Sequence, residues 1–370
     1  MFYRSLVRPV LFRLAPETAH EFALHALVAA LKPESMRRAA ARRLSRELFG
    51  KIERFGLSFS NPVGLAAGFD KNGAAARELA ALGFGFVEVG TVTHLAQAGN
   101  PQPRLFRLPQ DRALINRQGF NNEGAAALAA RLERGRPDCV LGINIGKSRA
   151  VEVSDATADY LASFEIVYPH ADYIAVNVSS PNTPNLRELQ RADALTALLS
   201  ALQTRNRELS LASGRARRVP LLVKVAPDLE ERELELIVDV ARRTEVDGII
   251  ATNTTTAREN LSHTPMGVVN AIGAGGLSGA PLRVRSTEVI RALYRLSRGE
   301  IRIVGVGGIF NAADAWEKIC AGASLVQLYT GFIYEGITAA RDINEGLADI
   351  LRREGFRTLD EAVGCKAAIS

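Results

Sequence analysis

Eight short apolar runs, each followed by a segment patterned for helix, recur between residues 61 and 331. Near-continuous apolar runs of this length are typical of parallel strands that are buried on both faces. Eight strand-then-helix units in about 300 residues predict a closed barrel. The runs are NPVGLAAG (61–68), FGFVEVGT (84–91), CVLGINIG (139–146), YIAVNVSS (173–180), VPLLVKVA (219–226), DGIIATNT (247–254), IRIVGVGG (301–308) and SLVQLYTG (324–331).

The alternative fold is a doubly wound open sheet. Such sheets usually have five to seven strands, and no GxGxxG motif follows any of the runs. We therefore predict an α/β protein, a (β/α)8 TIM barrel with a small N-terminal helical extension. The predicted division is a helical segment over 1–54, a catalytic barrel over 55–364 and a short, disordered tail over 365–370.

The N-terminal segment is basic and patterned for helix. Residues 1–54 contain 11 Lys and Arg against 5 Asp and Glu, so they carry the whole net charge of +6. Leu24, Leu27, Val28 and Leu31 form one apolar stripe, with His20 one turn before it. This stripe allows two interpretations, a cap packed on the barrel or an amphipathic pair of helices on an anionic lipid surface. The uncharged run at 22–31 is too short to span a bilayer, and charged residues interrupt any signal-peptide core.

Polar side chains follow most of the predicted strands. Because chemistry in such barrels lies at the carboxyl ends of the strands, these residues should meet at one mouth. They include two lysines and several amides but no carboxylate cluster and no pair of histidines, so we predict no metal site. Asn and Thr at strand ends also begin turns or cap helices, yet five strand ends with the same chemistry favour a site for a planar, partly anionic ligand.

Glycine-rich stretches end the last two strands, GVGGI (305–309) and LYTGF (328–332). This is the usual position of a barrel phosphate site, where backbone N–H groups hold an anion. Lys224 at the same mouth suits a ring that becomes negatively charged on reduction. The combination predicts flavin mononucleotide (FMN) as the cofactor. Three cysteines without a CxxC pair indicate neither a disulfide framework nor an iron–sulfur site.

With these residues identified, the sequence resembles the class 2, quinone-linked dihydroorotate dehydrogenases of the pyrimidine pathway, from about Phe2 to Gly364. The supporting stretches are PETAHEF (16–22), NPVGLAAGFDKNG (61–73), EVGTVT (88–93), GNPQPRLFRL (99–108), INRQGFNN (115–122), GINIGK (142–147), VNVSSPNTPNLR (176–187), VKVAPDL (223–229), ATNTT (251–255), GGLSG (275–279), GVGGI (305–309) and LYTGF (328–332).

The resemblance implies the roles of individual residues. Ser180 would be the base that removes the C5 proton of dihydroorotate while C6 delivers hydride to the flavin, and the electrons would then pass to a quinone. Soluble relatives of class 1 carry cysteine at this position. The implied FMN contacts are Ala67, Gly68, Asp70, Lys71, Thr91, Asn144, Asn177, Lys224, Thr252, Gly279, Gly308, Tyr329 and Thr330. The implied substrate contacts are Lys71, Asn116, Arg117, Gly119, Phe120, Asn177, Asn182, Asn253 and Thr254.

The resemblance also gives the N-terminal helices a function. They would form the mouth of a hydrophobic tunnel for the quinone, with His20 and Arg107 beside the quinone head. We accordingly expect a monomer that does not bind nucleic acid and lies as a peripheral protein on the cytoplasmic face of a bacterial inner membrane.

Two other functions are compatible with parts of this sequence. A tRNA dihydrouridine synthase would need a catalytic cysteine and a basic barrel mouth, but Cys139 begins a strand and residues 55–370 are net neutral. A phosphate-binding scaffold without catalysis is disfavoured by the presence of Ser180, Lys71 and Lys224. Bound yellow chromophore would separate the flavin enzymes from the scaffold.

Overall fold

The eight apolar runs form eight parallel strands that close into a barrel in chain order. Neighbouring strands pair without interruption around the ring, including the last strand with the first. The predicted (β/α)8 barrel is confirmed. The computed structural model describes residues 3–368, and its barrel strands are β3 (Val63–Leu65), β4 (Phe86–Val92), β7 (Val140–Ile145), β8 (Tyr173–Asn177), β9 (Leu221–Val225), β10 (Gly248–Ala251), β12 (Arg302–Val306) and β13 (Ala323–Leu328).

Helices follow the barrel strands and cover them. In the helix after β9, buried Leu234, Ile237, Val238 and Ala241 recur at helical spacing, so one face packs on the barrel. The helix begins where the Glu233 carboxylate accepts the backbone N–H three residues earlier, at 2.8 Å. The helices of the barrel are α4 (Ala76–Ala80), α5 (Ala125–Glu133), α6 (Ala156–Val167), α7 (Ala192–Ala212), α8 (Glu231–Arg243), α9 (Met266–Ile272), α10 (Arg283–Leu296), α11 (Ala312–Cys320), α12 (Thr330–Glu335), α13 (Ala339–Arg353) and α14 (Leu359–Ala362).

Three helices precede the barrel: α1 (Arg8–Leu11), α2 (Pro16–Leu31) and α3 (Glu34–Leu44). The stripe on α2 packs against the barrel core, with Leu31 buried and Leu24, Leu27 and Val28 partly buried. This stripe therefore forms the face by which α2 caps the barrel. Among residues 3–368, no helix is long and apolar enough to cross a membrane.

Two smaller sheets lie outside the barrel and were not predicted. A hairpin of β1 (Ile52–Arg54) and β2 (Leu57–Phe59) crosses the predicted boundary at residue 54. A three-stranded antiparallel sheet, called the outer sheet below, lies beside the barrel mouth. It joins β5 (Leu105–Leu108), β6 (Ala113–Asn116) and β11 (Gly276–Gly279).

The last described residues pack on the barrel. The backbone N–H of Lys366 donates to the carbonyl of Cys320 at 3.0 Å, and Ala367 is buried. The prediction of a disordered tail is therefore wrong for 365–367, because these residues close a turn against α11. The last two residues of the predicted tail lie outside the described part of the chain.

Candidate active site

A polar cleft of about 940 Å³, including its open mouth, lies at the carboxyl ends of the barrel strands. The predicted cofactor and substrate residues come from different strands, and the barrel closure brings eighteen of them to this one cleft. The cleft is lined by the predicted residues Ala67, Gly68, Lys71, Thr91, Asn116, Gly119, Phe120, Asn177, Ser180, Asn182, Lys224, Thr252, Asn253, Thr254, Gly279, Gly308, Tyr329 and Thr330.

Asp70 does not line the cleft. Its carboxylate accepts the backbone N–H groups of Ala74 and Ala75, both at 2.8 Å. Burial raises the pKa of this carboxyl, and the two N–H bonds oppose the rise. Asp70 therefore orders the turn that carries Lys71 instead of facing a ligand.

Arg117 and Asn144 also lie outside the cleft wall. The Arg117 guanidinium donates to the carbonyls of Ile272 and Pro103, so it ties α9 to the outer sheet. Asn144 is fully buried beneath the cleft, where its Oδ1 accepts from the Thr91 hydroxyl at 2.5 Å. Neither residue is among those that line the cleft.

Ser180 lies in the turn that follows β8 and reaches the cleft wall. The side chain is 5% exposed, and its Oγ accepts the backbone N–H of Asn182 at 3.2 Å. The neighbouring Ser179 is completely buried and hydrogen-bonds with Asn177 and Asn253 behind the wall. Of the two serines, only Ser180 is placed to meet a ligand.

Two lysines are the cationic groups of the cleft. The Lys71 Nζ donates to Gln118 Oε1 at 2.6 Å, and burial together with nearby Arg104 lowers the pKa of Lys71 to about 7. Burial also lowers the pKa of Lys224, while the charge of Glu88 opposes this shift. Among the described residues that line the cleft, none is a carboxylate or an imidazole. The cleft therefore suits an anionic ligand.

The glycine-rich end of the cleft requires residues without side chains. Gly308 has φ +70°, and a Cβ there would lie 2.6 Å from the Arg283 Cα, where α10 begins. Nearby, the Ser278 and Thr330 hydroxyls hydrogen-bond at 2.8 Å. Small residues, hydroxyls and backbone N–H groups at one end of a barrel mouth are typical of a phosphate site.

A second, apolar cavity of about 830 Å³ lies between α2 and the barrel. The predicted tunnel residues His20 and Arg107 both line it. Burial and the charge of Lys71 lower the pKa of His20 to about 4, so the imidazole is neutral at pH 7. The other lining residues are Tyr3, Leu11, Phe12, Pro16, Ala19, Ala23, Leu24, Leu27, Phe69, Leu82, Leu105, Leu114, Tyr329, Phe332, Ile333, Gly336 and Ile337.

Arg107 binds the segment that connects α1 to α2. Its guanidinium lies 4.6 Å from the centre of the Phe12 ring and donates to the carbonyls of Leu11, Phe12 and Leu14. These bonds join the outer sheet, through Arg107 of β5, to the connection between α1 and α2. The geometry gives Arg107 a structural task that the sequence did not indicate.

The polar cleft and the apolar cavity share a wall. Tyr329 lines both, and Phe69 lies against it with ring centres 5.9 Å apart. Phe69 in turn contacts the His20 ring at 4.8 Å. A ligand in one space is therefore separated from a ligand in the other by little more than aromatic side chains.

Sequence reasoning missed several residues of the site. Gln118 received no role but binds Lys71, and Ser278 lines the glycine-rich end of the cleft. Gln327 lies in the floor, and its amide nitrogen donates to the buried Glu88 beneath it at 2.8 Å. A charged residue, Glu88, within the apolar run FGFVEVGT (84–91) was the feature of the sequence that could have indicated a buried polar group here.

The fold and site define a (β/α)8-barrel enzyme with a polar site for an anionic ligand next to an apolar cavity. Residues 51–351 match the family model described as dihydroorotate dehydrogenase. The sequence is 52% identical over 366 residues to the dihydroorotate dehydrogenase (quinone) of Gloeobacter violaceus, covering 97% of this chain and 98% of that one. It is 50% identical over 368 residues to the protein of the same name from Streptomyces coelicolor, covering 98% of both.

Solved structures agree with this similarity. DHODH from Eimeria tenella in complex with ferulenol has a TM-score of 0.83 and 37% sequence identity, covering 96% of this chain and 98% of that one. The ligand-free form from the same organism has a TM-score of 0.82. This chain belongs to the dihydroorotate dehydrogenase family, and the resemblance to its quinone-linked class is confirmed.

Proposed function

We propose that this chain oxidises dihydroorotate to orotate in the polar cleft and reduces a quinone in the apolar cavity. The names of the bacterial relatives pair the same two substrates, dihydroorotate and a quinone, and in this family the reaction is a step of pyrimidine biosynthesis. The observation that carries the proposal is the shared wall at Tyr329, which brings a polar site and an apolar site within one aromatic side chain of each other.

The cleft fits FMN by its shape and its donors. The glycine-rich end accepts no side chain at Gly308, and the Ser278–Thr330 pair offers hydroxyls to a phosphate. In the floor, buried Gln327 Oε1 has no hydrogen-bond partner among residues 3–368, and Lys224 supplies positive charge. Gly308, Ser278, Thr330 and Lys224 would hold FMN, which would supply an acceptor for hydride from C6 of dihydroorotate and a donor of those electrons to the quinone.

Ser180 is proposed as the base that takes the C5 proton. Among the described groups that line the cleft, no carboxylate or imidazole competes for this role. Its Oγ accepts from the Asn182 N–H through one lone pair, which leaves a second lone pair and the hydroxyl hydrogen for other partners. Burial of Ser180 keeps bulk water away from its hydroxyl.

The proposed substrate contacts are of two kinds, one charged lysine and several side-chain amides. Lys71 would bind the carboxylate of dihydroorotate, and Gln118 holds its Nζ in place at 2.6 Å. Asn116 and Asn182 join at 3.0 Å through their side chains, so they present one rigid edge to the imide of the ring. Asn177 and Asn253 would supply a second edge.

Association with a lipid surface is a further part of the proposal. Five of the twelve exposed large apolar side chains among the described residues lie in the first 44 positions, namely Leu6, Val10, Leu14, Phe22 and Met36. They share this segment with the basic residues of α3, a combination that suits an anionic bilayer. We propose a monomer on the cytoplasmic face of the membrane, without a role in nucleic-acid binding.

The first test compares full-length protein with a chain that begins at Lys51. Full-length protein should reduce a short-chain quinone with dihydroorotate. The shorter chain should lose quinone reduction while dihydroorotate still bleaches the bound flavin. Equal quinone rates in both proteins would contradict the apolar cavity as the quinone site. Absence of flavin reduction in both would contradict the substrate.

A sharper test leaves the fold complete. Ala23 lines the apolar cavity, whereas Ala26 on the same helix is exposed. Ala23→Trp should lower kcat/KM for the quinone by at least about tenfold, equivalent to ~1.4 kcal/mol, without slowing flavin reduction. Ala26→Trp is the matched control and should behave like the unchanged protein.

A further inference from the structure

A carboxylate, Glu88, lies beneath the floor of the polar cleft, at the centre of strand β4. Its side chain is completely buried and accepts three hydrogen bonds. The donors are the Asn144 amide at 2.9 Å, the Tyr173 hydroxyl at 2.8 Å and the Gln327 amide at 2.8 Å. A buried carboxylate costs several kcal/mol unless such donors surround it, so its position is constrained on all sides.

The strand register builds this arrangement. Glu88 pairs with Gly142 of β7, which pairs in turn with Tyr173 of β8. A Cβ at Gly142 would lie 2.1 Å from the Tyr173 ring, so only glycine lets the tyrosine hydroxyl reach Glu88. Three strands besides β4 therefore contribute to the environment of one carboxylate.

Glu88 determines which way the Asn144 amide faces. A carboxylate only accepts hydrogen bonds, so the NH2 group of Asn144 must face Glu88. The Asn144 Oδ1 then faces the cleft side and accepts from the Thr91 hydroxyl at 2.5 Å and from the Asn177 Nδ2 at 3.2 Å.

The orientation of the Asn144 amide in turn sets the orientation of the amides in the cleft wall. With its NH2 group on Asn144, Asn177 turns its Oδ1 to the Asn253 amide at 3.2 Å and to the Ser179 N–H at 3.3 Å. The Asn253 Oδ1 accepts the backbone N–H of Thr254 at 2.8 Å. Every amide in this row has its donor end toward the floor or toward its predecessor.

We infer that Glu88 is a positioning residue that fixes the donor and acceptor ends of the amide relay Asn144–Asn177–Asn253. Glu88 does not line the cleft. Besides these amides it accepts from Gln327 and opposes the fall in the pKa of Lys224, and both of those residues line the cleft. The inference rests on the proposed function, because Asn177 and Asn253 are proposed there as substrate contacts.

Glu88→Gln tests the relay because glutamine has nearly the same shape but presents both a donor and an acceptor. The Tyr173 and Gln327 donors will hold its oxygen, so its NH2 group will face Asn144. Asn144 must then turn over, and Asn177 can no longer satisfy both Asn144 and the Ser179 N–H. We expect the orotate dissociation constant of the FMN-loaded protein to rise about tenfold or more.

A compensating variant distinguishes orientation from structural damage. In Glu88→Gln/Asn144→Asp, the new carboxylate accepts from Gln at position 88 and from Thr91 and Asn177, so the original direction of the relay returns. Orotate binding should recover to within about threefold of the unchanged protein. Tyr173→Phe removes one donor to Glu88 without turning Asn144, and it should shift the dissociation constant by less than about threefold.

The readouts are orotate titration of the flavin absorbance and the flavin midpoint potential with and without orotate. The shift in potential on binding should shrink in Glu88→Gln and return in the double variant. Unchanged orotate binding in Glu88→Gln, or a double variant as weak as the single one, would overturn the inference. If Glu88→Gln does not fold, the double variant alone decides: normal binding supports the relay and failure refutes it. Failure of the unchanged protein to bind orotate would instead refute the proposed function.

Discussion

Orotate binding should weaken as pH rises through 7, because Lys71 loses its proton there. Burial and the neighbouring Arg104 lower the pKa of Lys71 to about 7, and Glu17 opposes this shift. The ammonium form that attracts a carboxylate therefore predominates below pH 7 and falls tenfold with each pH unit above it. At pH 9 about 1% of the ligand-free sites would remain charged.

The size of the effect follows from the bond that is lost. A hydrogen bond to a charged group contributes roughly 1.5–3 kcal/mol, which corresponds to about 10- to 150-fold in a dissociation constant. We therefore expect the orotate dissociation constant to rise by about one to two orders of magnitude between pH 7 and pH 9, then to level off. Titration of the flavin absorbance with orotate at each pH measures it without involving Ser180.

Two variants control this measurement. Lys71→Gln removes the titrating group, so its orotate binding should be weak and independent of pH. Glu17→Gln removes the charge that raises the pKa of Lys71, so the midpoint should move to lower pH. A constant dissociation constant from pH 6 to pH 9 in the unchanged protein, or a pH dependence that survives in Lys71→Gln, would refute the reasoning.

Three further substitutions test separate parts of the molecule. Ser180→Ala should slow flavin reduction by dihydroorotate about 10²- to 10⁴-fold in stopped-flow measurements, with orotate binding changed less than about threefold; a rate near normal would exclude Ser180 as the base. Gly308→Ala forces a Cβ against Arg283 at a positive φ, so the purified protein should carry less flavin per chain by absorbance, and full flavin content would contradict the phosphate site. Phe164→Ala empties a fully buried position on α6 and should lower the free energy of unfolding by about 3–5 kcal/mol in urea titrations, whereas a loss below ~1 kcal/mol would mean that the site collapses around the gap.

The barrel could be predicted because its strands are buried on both faces. Each apolar run had to be covered by helices, and eight such units have few ways to close. The outer sheet could not be predicted in the same way. Its strands LFRL and ALIN are four residues long without regular alternation, and β11 pairs with β6 across some 160 positions of sequence.

The sequence predicts which residues form the site more readily than it predicts the direction in which each side chain points. Strand-end polar residues converge in any closed barrel, so Asn177, Lys224 and Thr252 were expected to meet, and they do. Asp70 and Asn144 stand in the same motifs yet face backbone N–H groups and the barrel floor. Spacing along a strand end fixes where a residue lies, whereas the hydrogen-bond partners behind it decide where the side chain faces.

The segment after β3 illustrates how the two cavities depend on each other. In four consecutive residues, Gly68 lines the polar cleft, Phe69 lines the apolar cavity, Asp70 fixes the turn and Lys71 returns to the cleft. A single turn therefore positions groups in both sites, and a shift of this turn would disturb both at once. The two cavities also interact electrostatically, since the charge of Lys71 in the polar cleft lowers the pKa of His20 in the apolar cavity. An anion bound at Lys71 would offset that charge, so occupancy of the polar cleft changes the electrostatics of the cavity proposed for the quinone.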